Sequence, residues 1–106
     1  MHWERYIKDF VSYLKIEKGL AQNSILAYQR DVSLLADYFS LTKNKPEQVS
    51  YEELKTFIAH LYDLGLSARS QARIISGIKQ FFKFLILERY IQTDPSELLE
   101  QPKLGR

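Results

Sequence analysis

Apolar residues recur along this chain at three- and four-residue steps, and no stretch alternates in the manner of a strand, so the pattern predicts an all-helical protein. Trp3, Ile7, Phe10 and Leu14 trace the buried stripe of a first helix over residues 3–18, widened by Tyr6 and Val11. Gly19 accepts the left-handed conformation that ends a helix, and Leu20 behind it can pack on the last turn. Lys15 and Lys18 stand where the negative end of the helix dipole favours cations. A second helix opens at a cap on Asn23 or Ser24 and runs to Phe39, its core stripe being Ile25, Tyr28, Val32, Leu35 and Phe39. Arg30, Ser33 and Asp37 fall on the opposite face. Leu26 and Leu34 lie there too, which predicts a second apolar neighbour for this helix. Residues 42–47 read as a polar loop containing Pro46.

The third helix carries the plainest start signal. Ser50 followed three residues later by Glu53 is a capping box, and Leu54, Phe57, Ile58 and Leu61 form a buried face that ends at Gly65. A fourth helix spans residues 67–89 with Ile74, Ile78, Phe81, Phe82 and Leu85 as its core stripe. Thr93-Asp94-Pro95 then resembles a cap with proline at the first helical position, predicting a short fifth helix through Leu99, followed by an extended linker over residues 101–106. The fold class expected is all-α: a compact orthogonal bundle of four helices plus a short fifth.

Length and composition narrow this picture. A chain of 106 residues makes one domain, placed at residues 1–100. With 45% apolar and 26% charged residues it has a globular balance. It contains no cysteine, which excludes a disulfide framework and thiolate metal sites. The opening residues lack the apolar core of a secretory signal, and no apolar run reaches membrane-spanning length, so a soluble, cytoplasmic protein without a membrane partner is expected.

Net charge is only +2, but it is unevenly placed: residues 1–66 carry eight Lys/Arg against nine Asp/Glu, and residues 67–106 carry seven against four. Between Ser67 and Leu87 there are four cations (Arg69, Arg73, Lys79 and Lys83) and no acid. Turning about 100° per residue from Ile74, the core positions of the fourth helix gather near 0°. Arg69, Arg73, Ser76, Gln80 and Lys83 gather between about 180° and 260°, with Lys79 at about 140°. This is a cationic and amide-bearing stripe on a helix that fits the major groove, where arginine pairs with guanine, glutamine with adenine, and serine or lysine with phosphate. The competing reading is a solvated face or a protein-docking face, although such faces ordinarily mix signs. Gly77 flanks the core at about 300° and implies a close approach, either to a neighbouring helix or to a ligand.

The run from Leu66 to Leu85, with its arginine, isoleucine pair, serine, glycine, lysine and paired phenylalanines in that order, resembles the last long helix of the core-binding domain of tyrosine recombinases, and among them the Xer type. Gly19 to Val32 is similar to the second-helix pattern of that family, with Ser24 where threonine is usual. Tyr90 to Ser96 and Gln101 to Leu104 are similar to its exit toward the catalytic domain. The resemblance covers essentially the whole chain. It implies a SAM-like, integrase-type domain that clamps one face of duplex DNA while a separate carboxy-terminal catalytic domain of the same parent chain holds the other. Other recombinase protomers on synapsed DNA are further implied partners. At matching positions it implies DNA contacts by Ser24 and Arg30 on the second helix and by Arg69, Ser70, Arg73, Ser76, Lys79 and Gln80 on the fourth; Lys83 rests on the charge stripe alone. It further implies partial exposure of Trp3, Tyr6 or Leu98 toward neighbouring protomers, against the commoner expectation of core packing for each.

No catalytic site is expected in this chain. The family's tyrosine nucleophile belongs to the catalytic domain, and Tyr28, Tyr51 and Tyr62, at helical spacing, read as core. A hydroxyl nucleophile also needs a base and charge stabilisers nearby, and no such cluster is evident. His2 and His60 are far apart, so no metal and no cofactor are expected. Glu52 and Glu53 are capping and dipole partners at a helix start. The runner-up function is a helical protein-interaction module with a basic docking face.

Overall fold

The computed structural model describes residues 2–101, without the side chain of His2. It contains four α-helices, α1 (His2–Ile16), α2 (Gln22–Ser40), α3 (Tyr51–Asp63) and α4 (Ala68–Leu87), one 3-10 turn at Pro46–Gln48, and no strand among the described residues. Its radius of gyration of 13.3 Å is that of a compact domain of this length, for which about 13 Å is typical.

The predicted stripes meet in a single core. Trp3, Ile7, Phe10 and Leu14 of α1, Ile25, Val32, Leu35 and Phe39 of α2, Leu54, Phe57 and Leu61 of α3, and Ile74, Ile78, Phe81, Phe82 and Leu85 of α4 are all buried. Aromatic rings form its centre: Phe81 stands edge-on to Phe10 at 5.4 Å, and Trp3 stacks between Phe39 and Phe81 at 6.1 and 6.0 Å. The indole N–H of Trp3 donates to the Asn44 carbonyl at 2.7 Å, and the Asn44 amide donates to Glu53 at 2.8 Å, so the loop is tied to both α1 and α3. α4 packs most extensively on α2 and also meets α1 and α3, leaving only one of its long sides in solvent.

Local signals behave as their chemistry dictates. The capping box closes, with the Ser50 amide donating to Glu53 at 2.9 Å and the Glu53 amide donating to the Ser50 hydroxyl at 3.1 Å. Gly19 and Gly65 both take positive φ, +62° and +84°. Ser67 caps α4 by accepting from the Ser70 amide at 3.1 Å.

Several expectations need correction. α2 begins at Gln22 after Ala21, which makes no side-chain cap, so Ser24 lies inside the first turn and is not its cap. α1 ends at Ile16, and α4 ends at Leu87, where Arg89 takes φ +64°. Thr93–Leu99 is not a fifth helix: the chain bends at 92–93 and makes a turn over 95–98. Asp94 Oδ1 accepts from the Ser96 amide at 2.8 Å and from its hydroxyl at 2.7 Å, a local bond that competes with helix in a segment too short to propagate one. Ser96 and Leu99 are instead buried as anchors. Leu26 and Leu34 have no covering neighbour among the described residues and are exposed; Tyr62 is 71% exposed and is not core, whereas Tyr28 and Tyr51 pack on the core's edge. Trp3 is buried, Tyr6 half-buried and Leu98 exposed. Gln101 is described; the remaining linker residues, 102–106, and the His2 side chain lie outside the described residues.

Candidate nucleic-acid interface

The side of α4 left in solvent is the predicted stripe. Arg69, Arg73, Ser76 and Lys83 are exposed and Ser70, Lys79 and Gln80 half-buried, while Ile74, Ile75, Ile78, Phe81, Phe82 and Leu85 fix the rotation of the helix from beneath. With 20 residues, α4 is about 30 Å long at 1.5 Å per residue, so the stripe runs the length of the domain's longest axes, 36 and 31 Å. From α2, Ser24 and Arg30 are exposed. Ser24 lies one turn before Tyr28, whose ring borders Gly77, and therefore on the side of α2 that looks toward α4.

The stripe is not free of acid in space. Asp31 of α2, only 1% exposed, reaches across to Arg73, whose Nη1 donates to Asp31 Oδ1 at 2.5 Å. The Arg73 side chain stays 46% exposed. Burial pushes the Asp31 carboxyl above its ordinary 3.8, and the charges of Arg73 and, less strongly, Arg30 pull it down without cancelling that effect. Gly77 is the reason the carboxyl fits. A Cβ there would stand 3.3 Å from both Asp31 Cβ and Oδ2 and 3.4 Å from Tyr28 Cδ1. The close approach is thus to a neighbouring helix.

At the other end of the stripe the chain after α4 folds back beside it. Lys79 and Lys83 share an open cleft of about 580 Å³ with Gln92, Thr93, Asp94 and Glu97, and no ion pair closes within it. Farther on, the Gln101 amide donates to Ser76 Oγ at 3.3 Å. Among the described residues no group of three or more His, Asp or Glu side chains could hold a metal, and no helix is long and apolar enough to cross a membrane.

A family model described as the phage integrase N-terminal SAM-like domain matches residues 7–89, from α1 to the end of α4. The chain belongs to that family. The tyrosine recombinase XerD of Staphylococcus epidermidis is 38% identical to it over 100 residues, covering 92% of this chain and 33% of that protein. XerD of Chlorobaculum tepidum is 35% identical over 104 residues, 98% of this chain and 34% of its own length. XerD of Staphylococcus aureus is 38% identical over 106 residues, 97% and 35% respectively. The chain spans about a third of the length of these curated relatives, and its match is to their family's amino-terminal domain.

In this integrase SAM-like domain Arg69, Arg73, Ser76 and Lys83 are exposed along α4, with half-buried Gln80 among them, half-buried Ser70 and Lys79 flank them on either side, and α2 adds two exposed positions, Ser24 and Arg30. Sequence reasoning missed Asp31, Asp94, Glu97 and Gln101, the groups that modify that surface. Asp31 had one readable signal: it is an acid at the edge of the α2 core stripe, between Tyr28 and Val32, and an ionised group there requires a partner from another element. The other three had none, because a separate short helix through Leu99 and an extended linker over residues 101–106 were expected, not a return alongside α4.

Proposed function

We propose that this domain binds duplex DNA by laying α4 along the major groove with the amino-terminal half of α2 beside it, as the amino-terminal arm of a site-specific tyrosine recombinase. The observation that carries the reading is the stripe of exposed Arg69, Arg73, Ser76 and Lys83, with half-buried Gln80 among them, on a helix whose opposite side is buried. Its mixture of cations and an amide suits phosphate clamping and base reading together. The contact set is Ser24, Arg30, Arg69, Ser70, Arg73, Ser76, Lys79, Gln80 and Lys83. Residues 1–100 form the DNA-binding domain, and the chain beyond leads to a catalytic domain that breaks and rejoins DNA through a phosphotyrosine intermediate. Further protomers on the same DNA complete the assembly.

The test is a titration of the chain with a short duplex across a range of salt, followed by NMR. With about four cations on phosphates, the log–log salt slope is expected near −4. An isolated half of a clamp is expected to bind with a Kd of roughly 10⁻⁴ to 10⁻⁶ M at physiological salt. Arg69→Glu and Lys83→Glu, both exposed, should each weaken binding while the fold stays intact. Charge reversal at Arg73 is a poorer test, because it sets a second carboxylate against buried Asp31. A shallow salt dependence with shifts outside α2 and α4, or no binding at millimolar duplex, would refute the reading and favour a protein-docking face.

A further inference from the structure

We infer that Asp31 is a positioning residue that turns Arg73 from a phosphate contact into a base reader, an inference that rests on the DNA-binding reading above. The pair joins α2 to α4 in the amino-terminal half of the stripe, and its geometry is one-sided. Among the described residues Arg73 gives a single hydrogen bond, from Nη1 to Asp31 Oδ1, although a guanidinium and a carboxylate can close two parallel bonds. Asp31 Oδ2 is buried and accepts no hydrogen bond among the described residues. A pair selected only to hold two helices together would close both bonds and leave no buried acceptor unsatisfied. Here one nitrogen of the guanidinium is held, while the Arg73 side chain as a whole stays 46% exposed.

That arrangement suits base recognition. Reading guanine O6 and N7 takes two N–H donors in a fixed plane, and an unpinned arginine on an exposed helix spreads over many rotamers before it finds one. A carboxylate that holds one nitrogen reduces this freedom and selects against phosphate, which Asp31 repels. The seat of the carboxylate is built for it. Gly77 leaves room for Asp31 Cβ and Oδ2, where any side chain would press on them at 3.3 Å and on Tyr28 Cδ1 at 3.4 Å. Arg30 is the other cation whose field reaches Asp31, and it is exposed on the same helix. The ligand class recognised is therefore a guanine-bearing edge of duplex DNA.

The experiment is selection from short duplexes carrying a randomised stretch, with wild-type chain and with Asp31→Asn, and binding of each to unselected duplex as reference. The wild type should enrich guanine at one position by at least about fivefold, the lower end for a bidentate arginine contact. In Asp31→Asn that preference should fall below about twofold, while affinity for unselected duplex is unchanged or rises, since one negative charge has gone. A merely structural Asp31 would lower affinity for every duplex alike and leave the preference in place. Should Asp31→Asn fail to fold by circular dichroism, Gly77→Ala takes its place, displacing the carboxylate by a few tenths of an ångström with all charges kept. An unchanged guanine preference in the folded variant, or a wild type that selects no base, overturns the inference. A wild type that binds no duplex at all overturns the DNA-binding reading itself.

Discussion

The two ends of the α4 stripe neutralise charge in opposite ways. Toward the amino-terminal half a single acid, Asp31, is buried and bonded directly to Arg73. Toward the carboxy-terminal half two acids, Asp94 and Glu97, line an open cleft with Lys79 and Lys83 and bond to neither. The first arrangement sets geometry, because a desolvated carboxylate holds its partner in one place and is costly to leave alone. The second sets only a local potential, which water and salt screen and which fixes no side chain. A helix can therefore carry a uniform row of cations in sequence and still present a held cation toward one end and loose ones toward the other.

The largest effect separating the two ends should come from Arg73→Ala. It strands Asp31 without a partner, and urea denaturation should show a loss of about 2 kcal/mol, below the full value for a buried pair because Arg73 is half in solvent. Asp31→Asn should be milder, within about 1 kcal/mol at neutral pH, since the ionised carboxylate is itself poorly accommodated. Its sign with pH follows from the direction of the shift. Asp31 has a folded-state value raised above 3.8, so its contribution to stability is fully present below the ordinary carboxylate range and is lost as pH rises through the raised value. Wild type should accordingly lose stability relative to Asp31→Asn between acid and neutral pH, read from urea midpoints across that range; a constant difference would place no shift on Asp31. The smallest effect is expected for the double variant Lys79→Ala with Lys83→Ala. Stability should stay within about 0.5 kcal/mol, while the salt slope of duplex binding becomes shallower by about 1.8 for two lost phosphate contacts. A stability loss as large as that of Arg73→Ala would erase the distinction between the ends.

Beyond the stripe, Tyr6 links α1 to the loop by donating to Glu47 at 2.9 Å. Burial, then the Glu47 carboxylate, raise its hydroxyl to about 12 from 10.0. The stability it contributes is present below pH 10 and is lost as pH rises through about 12, so Tyr6→Phe should flatten alkaline unfolding in that window.

The helices and their inner faces were legible in the sequence because each apolar stripe has one period, and burial of large side chains at about 1.5–3 kcal/mol each decides the rotation of a helix before anything else does. The box at Ser50 and Glu53 and the turns at Gly19 and Gly65 were legible because their chemistry is local. The stripe on α4 was legible as the remainder, the side that five core residues do not use. What only the tertiary structure decided is what stands next to that stripe. Asp31 and Arg73 are 42 residues apart, and Gln101 and Ser76 are 25 apart. Charge interactions at such separations depend on which backbones approach within a few ångströms. That is set by packing of α2 on α4 over Gly77 and by the turns that bury Ser96 and Leu99, neither of which has a periodic signature in the chain.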